Sequence, residues 1–253
     1  MRATTARQGR KPIIFAGVKQ SFEPATGRDD STRAARSGWR IRLTRLTVCA
    51  LFRLFFRVRV EGLENLPGTP AIICPNHLGW ADPFLVLLFF PIEPRIRVLG
   101  LHPRGVSRFR ARVVDTLGLV VALNRARPRE ALRLSEGALK SGGSLLVFPE
   151  GTAVGGREGE LLPLQHGAAH LSVAGGAPLI PVGLTGTKEL WLRRTLTIRI
   201  GKPLDPAEFE GDPRRRVRAM TTQLGADIQA LLPGDQERPR VRPLRRWLTG
   251  LFY

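Results

Sequence analysis

Between residues 57 and 232, short and almost wholly apolar runs alternate with stretches of helical periodicity, and this alternation limits the chain to few architectures. Ala71-Ile72-Ile73-Cys74, Ser144 to Phe148 and Leu179 to Leu184 are the clearest runs. They are too short for core helices, and they lack the polar alternation of a strand with one wet face. A strand apolar on both sides must be covered on both faces. Arg57-Val58-Arg59-Val60 does alternate and reads as a strand. Arg95 to Leu99, Leu119 to Leu123 and Thr195 to Ile200 complete the strand set. Helices are predicted at Asp82 to Phe90, 106–117, Pro128 to Lys140, Leu164 to Ala174 and 213–232. Asp82 is read as an N-cap with Pro83 at the first helical position. Gly142-Gly143 and Gly175-Gly176 close the third and fourth helices. The fold class expected is α/β: a central, mostly parallel or mixed sheet flanked by helices and preceded by an amphipathic N-terminal helix.

Charge divides the chain differently. The 40 basic residues against 21 acidic ones give a net charge of +19, and 35 of the basic residues are arginine. Residues 1–60 carry +11 and residues 213–253 carry +6, whereas 61–212 carry only +2. A near-neutral body with two basic ends seeks an anionic surface, which means acidic lipid or nucleic acid. Residues 1–37 lack apolar periodicity and read as a disordered basic tail. Residues 38–56 read as a membrane-interface helix, with Arg42, Arg45 and Arg53 on one arc and leucines around the rest. Residues 57–233 form the main domain. Residues 234–253 place Trp247, Phe252 and Tyr253 beside Arg245 and Arg246, a composition suited to lipid headgroups. No apolar run approaches the ~20 residues needed to span a bilayer. Two cysteines, Cys49 and Cys74, exclude a disulfide scaffold and a cysteine-built zinc site.

Two constellations carry chemistry. Asn76-His77-Leu78-Gly79-Trp80-Ala81-Asp82-Pro83 lies where a buried strand gives way to a helix, and ligands of open α/β sheets collect beyond the carboxyl ends of strands. One oxygen of Asp82 could cap the helix while the other reaches back to the His77 imidazole, fixing its tautomer and stabilising the imidazolium. With no nucleophilic Ser or Cys in a matching context, the base would act on a hydroxyl of the substrate. Phe148-Pro149-Glu150-Gly151-Thr152 follows another strand. Gly151 permits close backbone approach to a ligand, and Glu150 and Thr152 supply polar contacts. Each constellation alone also describes an ordinary turn.

Together they resemble the glycerophospholipid acyltransferases typified by 1-acyl-sn-glycerol-3-phosphate acyltransferases. That family carries N-H-x4-D followed, about seventy residues later, by F-P-E-G-T. Here His77 and Glu150 are 73 positions apart. The segment Leu119 to Arg125 resembles the family's second block, and Ala177 to Leu184 its fourth, with a proline inside a strand. The loop after Thr152 departs from the family pattern, with Ala153-Val154 in place of Arg-Ser and Gln165 where a lysine is usual.

The resemblance implies that His77 is the general base and that Asp82 orients it. It further implies that Asn76, Arg125, Glu150, Gly151 and Thr152 bind substrate, with Arg125 on the acceptor phosphate. No metal or cofactor is implied; acyl-CoA or acyl-carrier protein would serve as donor co-substrate. The expected activity is acyl transfer to a lysophospholipid at the cytoplasmic face of the cell membrane, as a peripheral protein, with 1-acyl-sn-glycerol-3-phosphate as acceptor. Another lipid acceptor, such as a glycolipid or amino-lipid, is the nearest alternative. A non-catalytic lipid-binding or nucleic-acid-binding protein is the more distant one, and the near-neutral middle of the chain argues against nucleic acid.

Overall fold

The computed structural model describes residues 45–91, 96–101, 120–123, 128–151, 157–232 and 241–250. These belong to one compact unit, residues 43–253. The basic tail, the helix expected at 106–117, Arg125 and Thr152 lie outside the described residues.

Among the described residues seven strands, β1 (Arg57–Glu61), β2 (Ile72–Pro75), β3 (Ile96–Leu101), β4 (Val120–Leu123), β5 (Ser144–Val147), β6 (Leu179–Thr185) and β7 (Thr195–Ile200), form one sheet. Their order is β1-β7-β6-β2-β5-β3-β4. All neighbouring pairs are parallel except β6 and β7, which are antiparallel. The helices are α1 (45–55), α2 (Ala81–Phe89), α3 (Pro128–Lys140), α4 (Gly167–Gly175), α5 (Pro213–Ala230) and α6 (Arg245–Thr249). The α/β expectation holds, and the sheet is mixed.

The two-residue period of the strands decides the layering. Ala71, Ile73, Leu146, Ile180, Val182 and Leu184 point to one face, where they pack with Leu85 and Val86 of α2 and with Phe52 and Phe56. Their neighbours Ile72, Cys74, Leu145, Val147 and Leu179 point to the other, against Ala138 of α3, Ala168 of α4 and Val217, Met220, Leu224 and Ile228 of α5. Each fully buried aliphatic side chain stabilises the fold by about 1.5–3 kcal/mol. β2 and β5 are buried at every position, which is why their sequences show no polar alternation.

Pro181 sits in a central strand, where a missing N–H would normally break a ladder. The β6–β7 register explains its place. Val182 faces Ile200, but Leu179 faces Leu204, so one extra residue lies on the partner side between these pairs. Pro181 lies opposite this bulge and contributes only its carbonyl, which accepts from Gly201 N–H at 2.9 Å.

One local expectation is corrected. The helix expected from Leu164 begins at Gly167, because residues 161–166 run past the end of β5, where Gln165 N–H donates to the Pro149 carbonyl at 2.7 Å. The sequence put Arg45 and Arg53 on one arc of α1 without stating which way that arc turns. The Arg45 guanidinium turns inward and donates to the Leu88 carbonyl at 2.9 Å and to the Phe90 carbonyl, at the carboxyl end of α2. A cation there is favoured by the helix dipole. Cys49 donates to the same Leu88 carbonyl, and Arg53 lies over the Phe89 ring at 5.1 Å. The opposite side of α1 therefore exposes Leu46, Leu51 and Leu54. Among the described residues no helix is long and apolar enough to cross a membrane.

Candidate active site

β2 lies between β5 and β6, so the loops leaving the carboxyl ends of these three parallel strands are neighbours. The β2 loop begins with Asn76, which is fully buried. Its Oδ1 accepts from Leu184 N–H at 2.7 Å and its Nδ2 donates to the Leu184 carbonyl at 3.0 Å. The side chain thus extends the β2–β6 ladder beyond its last backbone pair. Asn76, expected from the sequence to bind substrate, is buried beside His77 with its amide bonded to β6.

His77 and Asp82 meet. The carboxylate Oδ2 lies 2.8 Å from the imidazole Nδ1. The same oxygen accepts from Leu78 N–H at 2.6 Å and Gly79 N–H at 2.7 Å. Asp82 is fully buried, and its Oδ1 has no hydrogen-bond partner among the described residues. The sequence assigned one oxygen to the helix cap and the other to the ring. That division is wrong: α2 starts at Ala81, Trp80 occupies the cap position without a side-chain cap bond, and Asp82 turns back into its own loop. A carboxylate only accepts, so the proton between the groups sits on Nδ1, and Nε2 of the neutral ring is left as the acceptor. The His77 side chain keeps 15% of its surface open.

The corner after β5 closes on this loop. Glu150 is buried, and its Oε1 accepts from the peptide N–H of His77 at 2.8 Å. Burial pushes the Glu150 carboxyl up from the ordinary glutamate value, opposed by the hydrogen bonds from the His77 and Leu162 peptides. Gly151 adopts φ +68°, and a Cβ there would come within 2.9 Å of Gln165 Cγ, so the turn requires glycine. The Phe148 ring stacks on the imidazole, with centroids 4.1 Å apart and planes at 25°. His77, Asp82, Glu150 and Gly151 are therefore brought together as the two motifs implied.

Sequence reasoning missed several supporting groups. Glu158 accepts from Gly186 N–H and Lys188 N–H, each at 3.0 Å, and so ties the loop after Gly151 to the β6–β7 turn. Burial raises its carboxyl, and Arg194 opposes that rise while Asp82 adds to it. Arg194 is itself buried, with its guanidinium 4.0 Å from the Trp191 ring centroid. Trp80 donates to the Leu248 carbonyl of α6 at 3.1 Å. The glycine-rich surroundings of Glu158 and the isolated aromatic character of Trp80 gave no spacing from which these long-range contacts could be read. Cys74 lies next to the site in sequence, but burial pushes its thiol far above the range of a usable nucleophile. His166 places Nδ1 3.0 Å from the Thr221 hydroxyl, and no group of three His, Cys, Asp or Glu side chains among the described residues could hold a metal.

Comparison with known proteins bears on the same region. Residues 57–185 match the family model described as acyltransferase. A 1-acyl-sn-glycerol-3-phosphate acyltransferase of Pseudomonas aeruginosa is 30% identical over 191 residues, covering 69% of this chain and 71% of that one. The chloroplastic enzyme BAT2 of Brassica napus is 30% identical over 147 residues, covering 54% of this chain and 39% of that one. The chain thus spans about two fifths of the length of the chloroplast relative. The 1-acyl-sn-glycerophosphate (LPA) acyltransferase PlsC of Thermotoga maritima shares the fold, with a TM-score of 0.55, 24% identity and coverage of 73% of this chain and 76% of that one.

Proposed function

Since the chain belongs to the acyltransferase family, we propose that it moves a fatty acyl group from acyl-CoA or acyl-carrier protein to the free hydroxyl of a lysophospholipid. The acceptor is 1-acyl-sn-glycerol-3-phosphate and the product is phosphatidic acid, in keeping with the names of the relatives. The observation that carries the reading is the Asp82 Oδ2 to His77 Nδ1 contact, which leaves Nε2 to act as a base.

In this scheme Nε2 takes the proton of the acceptor hydroxyl as its oxygen attacks the thioester carbonyl. The imidazolium so formed is balanced by Asp82, which stays ionised. The tetrahedral intermediate collapses, the carbon–sulfur bond breaks, and the imidazolium returns its proton to the departing thiolate. The corner Glu150-Gly151-Thr152 helps form the acceptor pocket, and Arg125 binds the acceptor phosphate through its planar fork. The chemistry uses no cofactor beyond the co-substrate.

The protein acts as a peripheral component of an anionic membrane, on its cytoplasmic face. Support comes from the exposed leucines of α1 and from Val241, Leu244 and Trp247, which stand in water beside Arg245 and Arg246. Trp247 lies 6.4 Å from Phe55, so these groups adjoin the end of α1. Aromatic and aliphatic side chains flanked by arginine suit a lipid boundary. The decisive assay follows thiol release from acyl-CoA with a lysolipid acceptor. His77→Ala is expected to lose about 10²–10⁴-fold in rate, and an undiminished rate would overturn the proposal.

A further inference from the structure

His77 is held at three places: Asp82 takes the ring nitrogen Nδ1, and Glu150 takes the peptide N–H. The third is the Phe148 ring, stacked face to face at 4.1 Å and 25°. Phe148 is half-buried and packed against the core layer that includes Leu146 and Ile180. Its carbonyl accepts from Gly151 N–H at 3.2 Å, which fixes the backbone of the corner. The turn fixes the backbone from which the ring projects, and packing against the core holds the ring beside the imidazole. A neutral imidazole gains little from such a stack beyond apolar contact. A protonated one is a planar cation lying over the negative face of a π-system, well within the ~6 Å reach of a cation–π interaction.

We propose that Phe148 is a positioning residue whose ring face selectively stabilises the imidazolium form of His77 and thereby lowers the barrier of the proton-transfer step. The proposal rests on the reading of His77 as the base. The other charged groups that face His77 are Asp82, from the start of α2, and Glu150, from the corner after β5. Both favour the imidazolium as well, and both remain in any Phe148 variant, so a Phe148 series isolates the contribution of the ring.

The test titrates the His77 ring by NMR in full-length protein with isotopically labelled histidine, its signal identified by its loss in His77→Ala. In Phe148→Leu, which keeps apolar bulk and removes the π-face, His77 is expected to bind its proton about three-fold more weakly, the size of one partly exposed cation–π contact. Phe148→Tyr is expected to behave as the parent. Ring-fluorinated phenylalanine at position 148 preserves shape and drains the face, and weakens proton binding in step with fluorine number; this arm decides the matter if Phe148→Leu fails to fold. The acid limb of kcat against pH moves to lower pH in the same order, with KM for the lysolipid unchanged. Identical titration of His77 across the series overturns the proposal. If His77→Ala retains activity, the acyl-transfer reading fails while the titration still decides the stacking.

Discussion

Glu150 reaches from the corner after β5 to His77, and it meets the peptide N–H at 2.8 Å, not the imidazole ring. The carboxylate therefore fixes the backbone from which the ring projects, while Asp82 fixes the ring itself. Glu150→Gln retains an acceptor oxygen for that N–H, whereas Glu150→Ala leaves it unpaired in a buried place. The Gln variant is expected to keep kcat within about ten-fold of the parent, and the Ala variant to lose more and to unfold about 1–3 kcal/mol more easily. Urea unfolding and steady-state rates on the two variants check this.

The same residue sets a pH dependence. Its folded-state carboxyl titrates above the ordinary value of 4.5. Its contribution to stability is complete below 4.5 and is lost as pH rises through the raised folded value. Glu150→Gln is expected to gain in Tm relative to the parent as pH climbs from 4 to 7. A constant difference across that range would contradict the assignment.

Asp82 offers a cleaner separation of charge from geometry. All three donors, His77 Nδ1 and the Leu78 and Gly79 peptides, converge on Oδ2, so an asparagine can place its oxygen there and its amino group where Oδ1 lies. Asp82→Asn is expected to fold with the loop intact and to lose about 10²–10⁴-fold in kcat. KM stays close to the parent value, because only the imidazolium loses its counter-charge. A crystal structure and kinetics of the variant test both halves.

Glu189 works in the opposite pH sense. The Arg245 guanidinium hydrogen-bonds it and holds its carboxyl below the ordinary value of 4.5, aided by Arg242. This contribution is complete above 4.5 and is lost as pH falls through the lowered folded value. Glu189→Gln is expected to lower Tm at neutral pH, with the gap closing in acid. Tm measured between pH 7 and pH 3 reads it out.

The outward side of α1 predicts a solvent effect. Leu54→Glu and Trp247→Glu are expected to reduce partition onto anionic vesicles several-fold each, while leaving the rate with a detergent-dispersed acceptor near the parent value. Equal partition by vesicle sedimentation would remove these side chains from the docking surface.

Much of this arrangement was legible in the sequence, and the exceptions have physical reasons. The continuous apolar runs of β2 and β5 announced strands covered on both faces. The spacing of His77 and Asp82 allowed their contact, and the two motifs together implied it. Which oxygen made it was not legible, because Pro83 made a helix cap plausible and only the turn from Gly79, whose carbonyl accepts from Asp82 N–H at 3.3 Å, shows that the helix starts earlier. Periodicity likewise put Arg45 on an arc with Arg42 and Arg53, but it states which residues share a side, not which way that side turns. The carbonyls at the end of α2 turn Arg45 inward, and they lie more than forty residues away in sequence. The Glu158 and Trp80 contacts were hidden for the same reason: each joins segments that no local pattern relates.

Trp80, two residues before Asp82, gives its indole N–H to the carbonyl of Leu248, and Leu248 is buried. By thermodynamic reciprocity, whatever steadies one partner of such a bond steadies the other. A ligand that tightens the His77 loop is expected to slow proteolytic cutting within residues 241–250, and trimming α6 away is expected to weaken that ligand's grip.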